Sequence, residues 1–361
     1  MDLRILVLPG DGIGTEVTRE AVRVLRHVAA RWGHQLHLTE GLLGGIAIHR
    51  TGTPFPEETA RLASEADATL MGAVGLPEFD NAPPDRRPEK GLLGIRQALG
   101  VYANLRPVRA YRSQLDSSPL KNHLVEGTDM IIVRELTGGI YYGTPRGISG
   151  SGADMRAVNT MTYTRAEIER VARMAFHLAG GRRRKVTSVD KSNVLENSQL
   201  WRRVVVEVAK EYPDVALDHL LVDNCAMQLV LNPRRFDVVL TENMFGDILS
   251  DEGAVIAGSI GMLPSASIGE RRPSGAWVGL YEPVHGSAPD IAGQNKANPL
   301  GAIGSVAAML EYSFGLKKEA SAVESAIETV LESGHVTADL RPSGAPASTE
   351  QVGESVCVAI G

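Results

Sequence analysis

Phe-Asp-Val-Val-Leu-Thr-Glu-Asn-Met-Phe-Gly-Asp-Ile-Leu-Ser-Asp, residues 236–251, reads as a short buried strand feeding a helix. Val238, Val239 and Leu240 form an apolar run. It breaks at Thr241-Glu242-Asn243, and Phe245, Ile248 and Leu249 then keep helical spacing. Asp247 and Asp251 stand four residues apart, on one face of that helix. Two carboxylates so placed repel unless a cation lies between them, and oxygen ligands suit Mg²⁺ or Mn²⁺. An isolated pair of this kind more often only complements the positive end of its helix, so the surrounding chain has to decide.

Working outward, a 361-residue chain with 43% hydrophobic residues can bury a large core, in two domains or one large α/β unit. Its two cysteines, Cys225 and Cys357, have no Cys-x-x-Cys partner, which suits a reducing cytosol and argues against a thiolate zinc site. The first residues hold too short an apolar run for a signal peptide, and no stretch approaches a membrane span, so a soluble cytoplasmic protein is expected. A formal charge of −6 disfavours nucleic acid and anionic membrane as partners. The one basic run, 182–185, precedes the strand-like 186–189 and reads as a solvated connection.

Strand and helix signals alternate along the chain: strands at 5–8, 36–39 and 68–73, helices from Val17 to Val28 and over 57–66. Gly10-Asp11-Gly12-Ile13-Gly14 fails the dinucleotide fingerprint, because its third glycine comes one residue early, and no P-loop is present. The Pro-rich 77–88 is a loop, and 91–96 opens a helix. A strand is expected at 130–135, a helix at 165–180, and further strands at 186–189, 217–222 and 278–281. Asn298-Pro299 introduces a helix through Leu310, and 321–331 is the last helix expected. Arg96, Arg106 and Arg134 fall at or near element ends, and three converging guanidiniums would suit a di- or tricarboxylate. Lys191, Asp223 and the Asp247/Asp251 pair follow three separate strands, the pattern a site at the carboxyl edge of a sheet requires.

Six segments carry a family resemblance: Leu-Pro-Gly-Asp-Gly-Ile-Gly at 8–14, Ala-Asn-Leu-Arg-Pro at 103–107, Val-Arg-Glu-Leu-Thr-Gly-Gly-Ile-Tyr at 133–141, Val-Asp-Lys-Ser-Asn-Val-Leu-Glu at 189–196, Phe-Gly-Asp-Ile-Leu-Ser-Asp at 245–251 and His-Gly-Ser-Ala-Pro-Asp-Ile-Ala-Gly at 285–293. In this order the chain resembles the β-decarboxylating dehydrogenases, the isocitrate/isopropylmalate family, from residue 3 to about 335. The resemblance implies a two-domain α/β fold of isopropylmalate-dehydrogenase type, with a large mixed sheet and no Rossmann fold. Residues 1–101 and 258–361 would form the first, cofactor-side domain, and 102–257 the second, which carries the metal site and the homodimer contact.

The same resemblance implies the chemistry. Asp247 and Asp251, with Asp223 from a second copy, would hold Mg²⁺ or Mn²⁺ on the C2 oxygen and C1 carboxylate of 3-isopropylmalate. Arg96, Arg106 and Arg134 would bind its carboxylates. Lys191 would take the C2 hydroxyl proton, and Tyr141 would protonate C3 after loss of CO₂. Asp290, followed by Ile291, would accept the adenosine ribose hydroxyls and select NAD⁺. Ile13, Glu89, His285, Gly286, Ser287, Ala288 and Asn298 would complete the cofactor site. Leu92, Leu93 and Val194 would form an apolar pocket for the isopropyl group, against which ordinary helix core is the competing reading of the two leucines. Tartrate, homoisocitrate, another 3-alkylmalate and a catalytically silent NAD-binding subunit are the alternatives. The stretch 270–277 has no role in this reading.

Overall fold

The computed structural model describes residues 1–361, except for the side chain of Asp85. The chain divides into two compact units, one of 1–101, 110–119 and 257–361 and the other of 102–109 and 120–256. The segment 110–119 therefore packs with the first unit rather than the second. Ser117 donates to Leu340 O at 2.8 Å and Gln114 Nε2 to Leu331 O at 3.1 Å, which anchors it there.

In the first unit the strand Asp2–Gly10 runs parallel between Gln35–Glu40 and Ala68–Ala73. Trp277–Pro283 adds in parallel to Ala68–Ala73, and Pro264–Arg271 pairs antiparallel beyond it. Ala68–Ala73 is buried along its whole length, as a central strand's continuous apolar run requires. The helix Gly14–Trp32 buries Val17, Ala21, Val24, Leu25 and Val28, the residues whose spacing predicted it, and ends on left-handed Gly33. Gly14 is a packing glycine. A Cβ there would lie 2.4 Å from Pro9 O and 2.5 Å from Ala73 N.

In the second unit Ala103–Arg109 pairs antiparallel with Asp129–Glu135, which runs parallel to Val238–Thr241. Lys185–Asp190 and Ala216–Leu221 follow in parallel. Helices Arg165–Gly180, Glu196–Ala209, Val222–Leu231 and Asn243–Ile256 accompany them. Thr164 and Glu167 form a capping box at the first of these. Parallel neighbours place the junctions at Lys191, Asp223 and Asn243 at the same edge of the strands, as the sequence suggested. A small exposed hairpin, Gly147–Ser149 with Arg156–Val158, completes the unit.

Three expectations need correction. The helix placed at 91–96 begins earlier, as Pro88–Leu99, because Pro88 sits in its first turn, where a missing N–H costs nothing. The helix expected at 321–331 spans Lys317–Ser333 and is not the last. Thr349–Ile360 follows it, started by a capping box between Ser348 and Gln351. The stretch 270–277 holds the turn of the hairpin between Pro264–Arg271 and Trp277–Pro283, closed by Arg272 N donating to Ala276 O. Arg272 ties that turn to the sheet through Ala66 O at 2.7 Å and Asp67 at 3.5 Å, and Arg271 lies 4.3 Å over the Trp277 ring. Among the described residues no helix is long and apolar enough to cross a membrane.

Candidate active site

In the second unit, paired strands deliver two of the arginines: Asn104 lies opposite Arg134 in register, and Arg106 follows two residues on, on the same face. Both guanidiniums are almost fully buried. Arg106 Nε donates to Asn104 Oδ1 at 2.8 Å, and its Nη1 to Ser250 Oγ at 2.6 Å and Asp251 Oδ1 at 3.3 Å. Arg134 Nε donates to Asn243 Oδ1 at 2.9 Å while its Nη1 pairs closely with Asp247 Oδ1. The Tyr141 hydroxyl donates to the other Asp247 oxygen at 2.9 Å, and Arg134 lies 5.8 Å over the Tyr141 ring.

The helix Asn243–Ile256 is fixed at its start by Glu242, whose buried carboxylate accepts from Phe245 N at 2.6 Å, Met244 N at 3.2 Å and Tyr163 OH at 3.0 Å. Gly246 lets Arg134 cross this helix, since a Cβ there would sit 2.7 Å from Arg134 Cβ and Cγ. Burial, with the charge and hydrogen bond of Asp247 acting in the same direction, pushes the Tyr141 phenol up to about 12. It therefore holds its proton at neutral pH. Desolvation, opposed by Arg106 and reinforced by Asp247, also raises the Asp251 carboxyl above its ordinary range.

Asp247 and Asp251 both project from the helix Asn243–Ile256, four residues apart. Two hard oxygen donors on one helical face therefore fit a divalent cation such as Mg²⁺ or Mn²⁺. They do not complete a shell by themselves. Among the described residues no three His, Cys, Asp or Glu side chains come together, and Asp223 instead accepts from Lys191 Nζ at 2.5 Å. That hydrogen bond lowers the Asp223 carboxyl. Lys191 N donates to Ser198 Oγ at 3.1 Å, which sets the backbone just past the strand.

In the first unit a second group forms around Gly75. Asp11, buried, accepts from Gly45 N, Ile46 N and Gly75 N at 2.7, 2.8 and 2.8 Å. A Cβ on Gly75 would be 3.3 Å from Ser287 Oγ and 3.6 Å from Glu89 Oε1, so Glu89 and Ser287 flank one space. Ile13 joins them through its N–H, which donates to Ser287 O at 2.8 Å. Gly12 lies under the same carbonyl, 2.1 Å from where its Cβ would be. The amides of Asp11, Ile13 and Gly14 in the 10–14 loop are thus committed to protein carbonyls.

His285 is buried, with Nδ1 2.9 Å from Gly286 O. Since a carbonyl only accepts, Nδ1 carries the proton and Nε2 is left an acceptor with no protein partner. Burial lowers the pKa of this ring, keeping it neutral. An orphaned buried acceptor of this kind fits the exocyclic amine of an adenine. Ala288 is left-handed at φ +37, Ile291 N donates to Ala288 O at 3.2 Å, and the Asp290 and Gly286 side of the loop is exposed. Asn298 is occupied otherwise: its Nδ2 donates to Asp339 Oδ2 and its Oδ1 accepts from Leu300 N, both at 3.0 Å, so its amide starts the Leu300–Tyr312 helix. Arg96 pairs with Glu282 at 2.8 Å, both buried. Leu92 packs on the core cluster of Leu6, Leu8 and Leu43, in line with the ordinary helix-core reading; Leu93 is half-buried and Val194 exposed.

Sequence reasoning missed Asp11, Asn243 and Tyr163 as organisers of these groups. Their partners are backbone amides, carbonyls and side chains up to about a hundred residues away, so spacing carries no signal for them.

The family described as isocitrate/isopropylmalate dehydrogenase matches residues 4–356. A 3-isopropylmalate dehydrogenase of Geobacillus kaustophilus is 59% identical over 358 residues, 99% of this chain and 95% of that protein. One of Aquifex aeolicus is 55% identical over 341 residues, 94% of this chain and 92% of that protein. Among solved structures, an isocitrate dehydrogenase from Methylococcus capsulatus superposes with a TM-score of 0.87 at 34% identity, covering 99% of both chains. With residues 4–356 and the paired acid and arginine geometry in place, the chain belongs to the isocitrate/isopropylmalate dehydrogenase family.

Proposed function

We propose that this chain oxidises and decarboxylates (2R,3S)-3-isopropylmalate to 4-methyl-2-oxopentanoate and CO₂ with NAD⁺ and a divalent cation, the dehydrogenase step of leucine biosynthesis. The observation that carries the reading is the Arg134–Asp247–Tyr141 constellation, in a chain 59% identical to a 3-isopropylmalate dehydrogenase. When bound, NAD⁺ accepts the hydrogen of C2 with its electron pair, and Mg²⁺ or Mn²⁺ on Asp247, Asp251 and Asp223 polarises the C2 oxygen.

Arg106 and Arg134 hold the malate carboxylates, with Arg96 as a third ligand. Lys191 Nζ takes the proton of the C2 hydroxyl. Departure of CO₂ leaves the bonding pair on C3, and the Tyr141 hydroxyl returns a proton to that carbon. His285, Gly286, Ser287, Ala288, Asp290 and Ile291 attend the adenosine, Ile13 and Asn298 line the same cleft, Asn298 with its amide already engaged, and Glu89 faces the nicotinamide side, while Asp290 disfavours a 2′-phosphate by its charge. Leu92, from the core it packs on, Leu93 and the partner subunit's Val194 shape the alkyl pocket. NADH formation with 3-isopropylmalate, compared with isocitrate, tartrate, homoisocitrate and NADP⁺, tests the reading. Faster turnover of isocitrate or of NADP⁺ would remove it.

A homodimer is part of this proposal. Met227, Val230 and Leu231 form an exposed apolar stripe on the helix Val222–Leu231 that carries Asp223, and Ile248 and Val255 do so on the helix that carries Asp251. A second copy covering both helices would bring its Asp223 and Lys191 to Asp247 and Asp251, supplying the third acid. Sedimentation is expected to show a dimer, and an Ile248→Asp variant a monomer without turnover. A fully active monomer would sink the shared site.

A further inference from the structure

The geometry points to Asn243 as a positioning residue that locks the Arg134 guanidinium and the Tyr141 turn into one arrangement. This rests on the reading that Arg134 binds a carboxylate and Tyr141 delivers a proton. Asn243 is completely buried at the first position of the helix Asn243–Ile256. Its Oδ1 accepts from Arg134 Nε at 2.9 Å, and its Nδ2 donates to Leu136 O at 3.1 Å and Gly138 O at 3.0 Å. Since an arginine only donates and a carbonyl only accepts, the amide has one possible orientation.

The three bonds do different work. The Arg134 bond fixes the plane of the guanidinium through Nε and leaves the outer nitrogens aimed along the helix toward Asp247. The two carbonyl bonds hold residues 136–138, the approach to the Gly139–Tyr141 turn, against the helix start. Glu135 holds the same segment from its other side, accepting from Thr137 N at 3.1 Å and Gly138 N at 2.7 Å.

Tyr163 closes the frame. Its hydroxyl accepts from Asn243 N at 2.9 Å and donates to Glu242, and a Cβ on Gly139 would meet that hydroxyl oxygen at 2.2 Å. The tyrosine ring is therefore packed on the very backbone that presents Tyr141. Arg134 and the Tyr141 that this frame presents bond to the two oxygens of Asp247. Asn243 acts through Arg134 and Tyr141 and on neither the substrate nor the cation directly.

Two variants separate the two halves of the role. Asn243→Ala removes all three bonds, whereas Asn243→Asp keeps an oxygen for Arg134 Nε and loses the donors to Leu136 and Gly138. Steady-state turnover with 3-isopropylmalate and NAD⁺ reads the first half as KM for the malate. Exchange of the C3 hydrogens of 4-methyl-2-oxopentanoate into D₂O by the metal-loaded enzyme, followed by NMR, reads the second, because it runs the Tyr141 proton transfer in reverse. Misplacement of either group costs about tenfold or more in its own readout.

Asn243→Ala is expected to raise the malate KM and slow exchange, each by about tenfold or more, while the KM for NAD⁺ stays within about threefold. Asn243→Asp is expected to hold the malate KM within about threefold of the parent and still lose exchange by about tenfold. Arg134→Lys and Tyr141→Phe are run beside them, together with thermal midpoints. Should Asn243→Ala fail to fold, Asn243→Asp and the milder Asn243→Ser carry the test. If Arg134→Lys and Tyr141→Phe move their readouts while the folded Asn243 variants move only the thermal midpoint, the positioning role is overturned and the catalytic reading stands. If Arg134→Lys and Tyr141→Phe move nothing, both fall together.

Discussion

Replacing Asp247 by asparagine is expected to lower kcat/KM for 3-isopropylmalate on the order of 10³-fold. One carboxylate serves three groups: its Oδ1 faces Arg134 Nη1 closely and Arg106 Nη2 at 3.8 Å, and its Oδ2 accepts from the Tyr141 hydroxyl at 2.9 Å. An amide cannot reproduce this. Whichever way it is turned, an NH₂ meets either a guanidinium or the phenol donor, and the charge that would attract a divalent cation is gone. The loss is expected in both kcat and apparent metal affinity. NADH formation measured across a metal titration, alongside the thermal midpoint, separates this from unfolding. A variant retaining kcat/KM to within about tenfold at saturating metal would remove Asp247 from the centre of the mechanism.

The second large effect belongs to Tyr141→Phe, where kcat is expected to fall about 10²–10⁴-fold, the range of a lost general acid. The malate KM should change little, because the ring that Arg134 lies over at 5.8 Å is retained. The pH behaviour gives an independent check. Burial, with Asp247 acting in the same direction, raises the phenol to about 12, so the hydroxyl carries its proton through neutral and mildly alkaline pH. A raised acid pKa means the proton is lost only as pH climbs through that higher value. An alkaline limb in the ordinary tyrosine range, about 10, that vanishes in Tyr141→Phe would contradict this environment.

Much of this arrangement was legible in the sequence because it depends on local periodicity. Ala68–Ala73 is an uninterrupted small and apolar run, and it is a strand buried end to end. Val238–Thr241 feeding Asn243–Ile256 follows from an apolar run giving way to helical spacing. The prolines before Pro88 give the whole stretch the composition of a loop, although proline in a first turn is a start signal. The helix Thr349–Ile360 announced itself only through Ser348 and Gln351, since Gly353 interrupts its apolar pattern. That glycine is required where a Cβ would sit 2.3 Å from Glu20 Oε2, a contact across some three hundred residues.

The candidate site divides in the same way. Residues whose roles follow from their own chemistry, such as Arg106, Arg134 and the Asp247/Asp251 pair, could be picked out by type and position. Residues that act by holding others could not. Asp11 is visible as an acid between two glycines, yet its bonds to the amides of Gly45, Ile46 and Gly75 exist only once three separate loops have met. Asn298 shows the converse: expected in the cofactor site, it has its amide engaged with Asp339 and the start of a helix.

The strand pairing of the first unit also constrains how the chain is made. Ala68–Ala73 is an interior strand whose neighbour on one side, Trp277–Pro283, pairs Leu280 with Thr69 and Tyr281 with Leu70. Translation at about 5–20 residues per second puts roughly 10–40 s between the emergence of these two strands. During that interval the amino-terminal segment has an unpaired apolar edge, the kind of surface that invites pairing with another nascent chain. The five main-sheet strands of the second unit, from Ala103–Arg109 to Val238–Thr241, are complete before Trp277 is made. Those five strands can therefore pair with one another first, whereas Ala68–Ala73 must wait for the chain to return.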